Sequence, residues 1–144
     1  MEKAYTFSDV LIEPGYSEVL SRSIVNLTSD LGKFKLELPV ISSNMKTITG
    51  PNMVQAMNNM GGMGILHRFN GIGEAVDDYK QSLFTKKEPI VGVSIGVHGA
   101  AGERFNELYQ EGARIFCIDV AHGHHVHVKN ALKWIDDNYS DTRN

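Results

Sequence analysis

From residue 38 onward, short apolar runs alternate with stretches whose apolar residues recur every three or four positions. The run LPVISS (38–43) reads as a strand. GPNMVQAMNNMGG follows, with Met53, Met57 and Met60 at i, i+4 and i+7 on one helical face and Gly61–Gly62 as its stop. MGILH (63–67) is a second strand. GIGEAVDDYKQSLF after it carries Ile72, Val76, Tyr79 and Leu83 on one stripe. PIVGVSIGV (89–97) is a third strand, rich in β-branched residues. AAGERFNELYQEG gives a third helix, with Phe105, Leu108 and Tyr109 inward and Gly112 at its end. ARIFCIDVA (113–121) is a fourth strand, and HHVHVKNALKWIDDNY a fourth helix with Val128, Leu132 and Ile135 on its face.

Residues 1–38 lack this alternation. LIEPGYSEV contains a Pro14–Gly15 turn signal, and SIVNLTSDLGKFKLEL alternates apolar and polar residues around Gly32, as a short hairpin does. The chain therefore divides into an irregular arm with a hairpin (1–38) and four strand–helix units (39–144). Strands that are apolar on both faces, alternating with amphipathic helices, predict an α/β fold with a parallel sheet. A doubly wound open sheet and part of a (β/α)8 barrel both fit the pattern. A complete barrel takes about 250 residues, so these residues read as the first four βα units, a half barrel. In either architecture ligands bind where the strands end. The residues to read are Ser42 to Thr49, His67 to Phe69, Gly96 to Gly99 and Asp119 to His125.

Composition narrows the class. Hydrophobic residues at 42% and charged residues at 22% exclude a disordered chain. A net charge of −3 with interspersed signs argues against a nucleic-acid surface. Cys117 is the single cysteine, so no internal disulfide forms and a cytoplasmic location is expected. The start, MEKAYTFSDV, shows no apolar run of secretory or membrane type.

IDVAHGHHVH (118–127) packs four histidines behind Asp119. Three readings stay open: a metal site, a solvated helix start, or a contact with a bound cofactor. On the helix that follows, His124 and His127 are a pair spaced i, i+3, and that pair lacks the further ligands a closed zinc site needs, so no metal ligand is assigned. Asp119 reads as a helix N-cap, a role compatible with ligand binding. Cys117, inside IFCID, reads as buried and inert, because a reactive thiol needs an exposed, electropositive setting. Met53, Met57, Met60 and Met63 read as core. GGMG (61–64) follows a helix, so the context of a dinucleotide-binding fingerprint is missing.

FSDVLIEPGYSEVLSRS, PVISSNMKTITGPNMVQAMNNMGGMGILHR, VGVSIGV and GARIFCIDVAHGH occur in this order. Together they resemble the IMP dehydrogenase / GMP reductase family from about residue 6 to the C-terminus. The resemblance implies the barrel rather than the open sheet, and the N-terminal half of it. Asn44 before Met45, the LHRF loop, and a direct run into the third strand with no inserted regulatory pair lean toward GMP reductase. EPGYSEV is closer to the dehydrogenases, and DVAHGH occurs in both.

The implied activity is reduction of GMP by NADPH to IMP and ammonia, through a covalent thioimidate on a cysteine followed by hydride transfer. The alternative is IMP dehydrogenase, which takes IMP and NAD to XMP. Ser43 and Met45 match positions that line the nucleotide pocket; a polarizable thioether suits a flat purine. Ser21 and Arg22 match a pair that meets the adenine end of the cofactor across a subunit boundary. Arg68 matches a basic cofactor contact, and Asp119, Val120 and Ala121 match the loop at the nicotinamide ribose. Lys46 stands where many members carry Asp, which reverses a charge near the pocket mouth. The family's nucleophilic cysteine, monovalent-cation loop and phosphate-binding glycine turns belong to its second half, so no catalytic residue is assigned here. Implied partners are a purine nucleotide and either a C-terminal half or a homo-oligomer, a tetramer in the family. A reading of another class is a non-catalytic half barrel that associates with a C-terminal half or a full-length relative.

Overall fold

The computed structural model describes residues 3–84 and 88–139. Four parallel strands form one sheet in chain order: β3 (Ile41–Ser42), β4 (Met63–Leu66), β5 (Val91–Ile95) and β6 (Ile115–Ile118). They follow a separate antiparallel hairpin of β1 (Ser29–Leu31) and β2 (Phe34–Leu36). Between and after the sheet strands run α1 (Pro51–Asn59), α2 (Ile72–Ser82), α3 (Ala101–Gln110) and α4 (Val126–Asn138). Sequential order with parallel pairing, Ile41 beside Met63, Leu66 beside Val93 and Val93 beside Phe116, is the arrangement successive βα units produce.

The core lies between the sheet and its helices. Val54 of α1, Ala75 and Tyr79 of α2, and Leu108 of α3 bury against Leu66, Val91 and Val93, with Ala113 closing one end. Gly64 sets how near α1 can come. A Cβ there would sit 2.8 Å from Val54 Cγ2 and 2.9 Å from Val54 Cα, so any side chain would push the helix off the sheet. Gly112 ends α3 with φ at 103°, a backbone conformation L side chains rarely adopt, and turns the chain into β6. Asn58, buried on α1, accepts from the Ile90 N–H at 2.7 Å and donates to the Val54 carbonyl at 3.0 Å. It thereby fixes where the third strand enters the sheet.

Two inward faces differ from their sequence patterns. On α1 the buried positions are Val54 and Asn58, while Met53 and Met60 are exposed. Met57 is half-buried, but Met53 and Met60 turn off the sheet, because Val54 is the side chain that fits against the bare Gly64 backbone. Met63, in β4, is buried as expected. On α4, Leu132 is exposed, whereas Val128 and Ile135 are half-buried. Leu132 and Ile135 line an open cavity of about 770 Å³ shared with Phe105, Ile115, Ile118 and the hairpin turn at Gly32.

Among the described residues β6 pairs only with β5, and β3 only with β4, so both sheet edges are open. Ahead of the hairpin, residues 3–28 of the arm are exposed throughout. Phe7 is 99% exposed, and Leu11 and Ile12 are each 97% exposed. Its local order comes from short caps, such as the Thr6 N–H donating to Asp9 Oδ2 at 2.8 Å.

Candidate functional site

The loops that leave the C-terminal ends of β4, β5 and β6 meet at Asp119. Its backbone N–H donates to the Ile95 carbonyl at 2.9 Å, extending the β5–β6 ladder one step past the strand. That bond fixes the Asp119 backbone before any ligand arrives. Arg68, two residues beyond β4, donates from Nε to Asp119 Oδ2 at 2.9 Å. The pair bridges β4 to β6 across the end of β5. There Gly96 lies beneath Arg68, where a Cβ would make only ordinary van der Waals contact with Arg68 Nη1 at 3.7 Å. The two side chains are 36% and 28% exposed. Solvent screens such a pair to about 1 kcal/mol or less, and both groups remain within reach of a ligand.

Arg68, Asp119, Val120 and Ala121 contribute to the walls of one cavity of about 400 Å³. The structure thus brings four expected site residues together. The same cavity is bordered by the imidazoles of His98, His122, His125 and His127. A guanidinium, a carboxylate and four imidazoles around that volume suit an anionic ligand that also offers hydroxyl donors. A nucleotide, which carries phosphate charge and ribose hydroxyls, is a ligand of that kind.

Ser43 and Met45 stand at the same end of the sheet, on the loop after β3, outside the cavity's lining. That loop is held by Thr49, which is fully buried. Its hydroxyl is bonded to the Ser42 hydroxyl at 2.9 Å and to the Ser43 carbonyl. The N–H groups of Ile48 and Thr49 both donate to the Met45 carbonyl, leaving the Met45 side chain 53% exposed above the sheet. Ser21 and Arg22 lie on the arm, exposed and apart from the cavity. Ser21 accepts from the Ser23 N–H at 3.3 Å and so caps a short 3-10 turn at Arg22–Ile24.

The histidine tract does several things. The N-cap of α4 is His125, whose Nδ1 accepts from the His127 N–H at 3.2 Å. Asp119 does not serve as that cap, because six residues separate it from the first turn. His127 packs edge-on against His98 with ring centres 4.3 Å apart. Partial desolvation, then the neighbouring His98 and His125, hold the His127 pKa below its ordinary value, which favours the neutral ring. Among the described residues no group of three or more His, Cys, Asp or Glu is arranged to hold a metal ion.

Cys117 is half-buried on β6 beside Ser94 of β5. Burial, then the charge of Asp119, raises its thiol pKa. A raised pKa means less thiolate at neutral pH, so Cys117 is expected to react with iodoacetamide at least about tenfold more slowly in the folded chain than in denaturant. Mass-spectrometric timing of alkylation checks this, and equal rates would show an accessible thiolate. Arg104 was not singled out by sequence pattern, since a lone arginine on an amphipathic helix normally faces water. It is 7% exposed and points inward under the Arg68 loop.

A parallel sheet flanked by helices, with charged groups collected where the strands end, defines an α/β protein that holds its ligand at the C-terminal mouth of the sheet. Residues 4–143 match the model of the IMP dehydrogenase / GMP reductase domain, and the chain belongs to that family of oxidoreductases. The crystal structure of inosine 5′-monophosphate dehydrogenase from Legionella pneumophila superposes with a TM-score of 0.81. It is 43% identical, over 94% of this chain and 41% of that one. A GMP reductase of Mycoplasma mycoides is 31% identical over 96% of this chain and 43% of its own length. An inosine-5′-monophosphate dehydrogenase of Nitrosopumilus maritimus is 41% identical over 54% of this chain and 16% of its own. The chain therefore spans less than half the length of each of these relatives. The fold is the α/β arrangement of the barrel family, four units of it.

Proposed function

We propose that these residues supply the first half of the catalytic barrel of a GMP reductase, which converts GMP and NADPH to IMP and ammonia. The Arg68–Asp119 pair at the strand ends carries the reading. It presents a phosphate-binding cation and a ribose-binding acceptor in one nucleotide-sized cavity. The reductase-type loops support the narrower choice: Asn44–Met45 after β3, and His67–Arg68–Phe69 after β4. A dihydronicotinamide bound here would supply the hydride. Asp119 would hold its ribose, Arg68 would balance the charge of its phosphates, and Met45 would offer a thioether surface to the purine. The implied thioimidate forms on a cysteine outside these residues, because Cys117 is half-buried beside an anion.

IMP dehydrogenase is the second reading, favoured by the 43% identity to the Legionella enzyme across nearly the whole chain. The discriminating experiment assays the native gene product with GMP plus NADPH and with IMP plus NAD, separating IMP from XMP by chromatography. Formation of IMP from GMP is the expected result, and XMP formation alone would establish the dehydrogenase. The 144-residue chain by itself is expected to turn over neither pair. Turnover by the homogeneous chain would overturn the half-barrel reading. A native gene product that binds a C-terminal half or a full-length relative, yet turns over nothing, would make the chain a non-catalytic module.

A further inference from the structure

Arg104 is buried on α3, yet among the described residues no carboxylate is bonded to it. Its guanidinium donates instead to neutral oxygens: Nε to the Ser94 carbonyl at 3.1 Å, Nη1 to the Asn70 carbonyl at 3.1 Å, and Nη2 to the His67 carbonyl at 3.2 Å and Asn70 Oδ1 at 2.7 Å. Asn70 in turn donates from Nδ2 to Asp78 Oδ2 of α2 at 2.8 Å. A buried cation without a directly bonded counter-charge is costly, and an apolar side chain would fill the same space more cheaply. What this arrangement provides is geometric. Three of the four acceptors belong to His67 and Asn70, the residues that bracket Arg68 and Phe69. The fourth is on β5, the strand whose end lies beneath Arg68.

From this we infer that Arg104 is a positioning residue: it clamps the 67–70 loop to β5 so that Arg68 stands over Gly96 and meets Asp119. Beyond the Arg104 bonds, the loop is held by the Asn70–Asp78 bond and by the Arg68–Asp119 pair itself. Phe69 is exposed, and its N–H bonds only locally, to the His67 ring at 3.2 Å. Burial, then the nearby positive charge of Arg68, depresses the Arg104 pKa. The clamp thus holds two guanidiniums close, and the Asp119 carboxylate is the group that makes this tolerable for Arg68. The function of the clamped Arg68 rests on the nucleotide reading above; the clamp itself does not.

The test reads the Arg68 Nε–H directly, by nitrogen-15 NMR of the 144-residue chain without ligand. In the parent chain this proton is expected to be protected by Asp119. In Arg104→Met it is expected to exchange about tenfold faster, as for a hydrogen bond that no longer forms, while the amides of β4 and β5 keep their dispersion. Arg104→Lys is expected not to rescue it, since one ammonium cannot span acceptors on both the loop and the strand. If Arg104→Met fails to fold, Asn70→Ala keeps the guanidinium but removes one acceptor and the link to Asp78, and is expected to give a smaller rise in the same exchange rate. A folded Arg104→Met, or a folded Asn70→Ala, with unchanged Arg68 Nε–H exchange would overturn the inference. A parallel NADPH titration separates the two claims. No binding by the native gene product would count against the nucleotide reading while leaving the exchange result to judge the clamp.

Discussion

Replacing Phe105 with alanine is expected to destabilise the chain by about 3–5 kcal/mol, a large share of what holds a domain of this size together. Phe105 is 1% exposed and sits at the meeting point of three elements. Its ring stacks on Phe116 of β6 with centres 4.1 Å apart, leans on Tyr139 at 4.8 Å, and meets Trp134 of α4 edge-on at 5.9 Å. Tyr139 also donates its hydroxyl to Asn106 of α3. The last helix is thus tied to the sheet largely through rings that touch Phe105. Urea unfolding followed by far-ultraviolet circular dichroism gives the loss, and the near-ultraviolet signal of Trp134 should fall with it. Phe105→Leu, which keeps most of the volume, is expected to cost about 1.5 kcal/mol or less. A cost below about 1 kcal/mol for the alanine variant would mean that α4 is held by something other than this cluster.

The order of elements was legible because each unit switches from a strand-length apolar run to a helical repeat. The hairpin was equally visible, as alternation around Gly32. Periodicity failed where shape decides. Counting apolar residues put the methionines of α1 inward, but the close approach at Gly64 selects Val54, and a buried Asn58 takes the next inward turn to bond Ile90. The site was legible in its positions and less so in its contacts. Arg68 and Asp119 lie 51 residues apart, and only the parallel order of β4, β5 and β6 makes them neighbours. The N-cap of α4 fell to His125, since the loop after Asp119 is longer than the strand-to-helix pattern suggested. Arg104 could not be read at all, because its role depends on carbonyls, which every residue carries.

Removing the Asp119 carboxylate is expected to separate binding from stability. In Asp119→Ala the folded chain should lose no more than about 1 kcal/mol, because the pair with Arg68 is partly exposed and screened. In the native gene product the same change should lower kcat/KM for the cofactor roughly 10- to 100-fold, the worth of a hydrogen bond to a charged group. Asp119→Asn should fall between, since the amide oxygen still accepts from a ribose hydroxyl but no longer balances Arg68. Arg68→Met, by contrast, leaves the acceptor in place. It should weaken binding in a way that depends on salt, as expected where a cation meets phosphate. Steady-state kinetics at two ionic strengths, alongside thermal unfolding, distinguish these cases. If Asp119→Ala lowered the unfolding temperature sharply while sparing KM, the carboxylate would be a structural anchor for Arg68 and the ribose contact would have to come from elsewhere. If KM rose with the fold intact, the same 2.9 Å bond would be a poised arrangement: Arg68 keeps the carboxylate ordered until a ribose takes part of its hydrogen-bonding capacity.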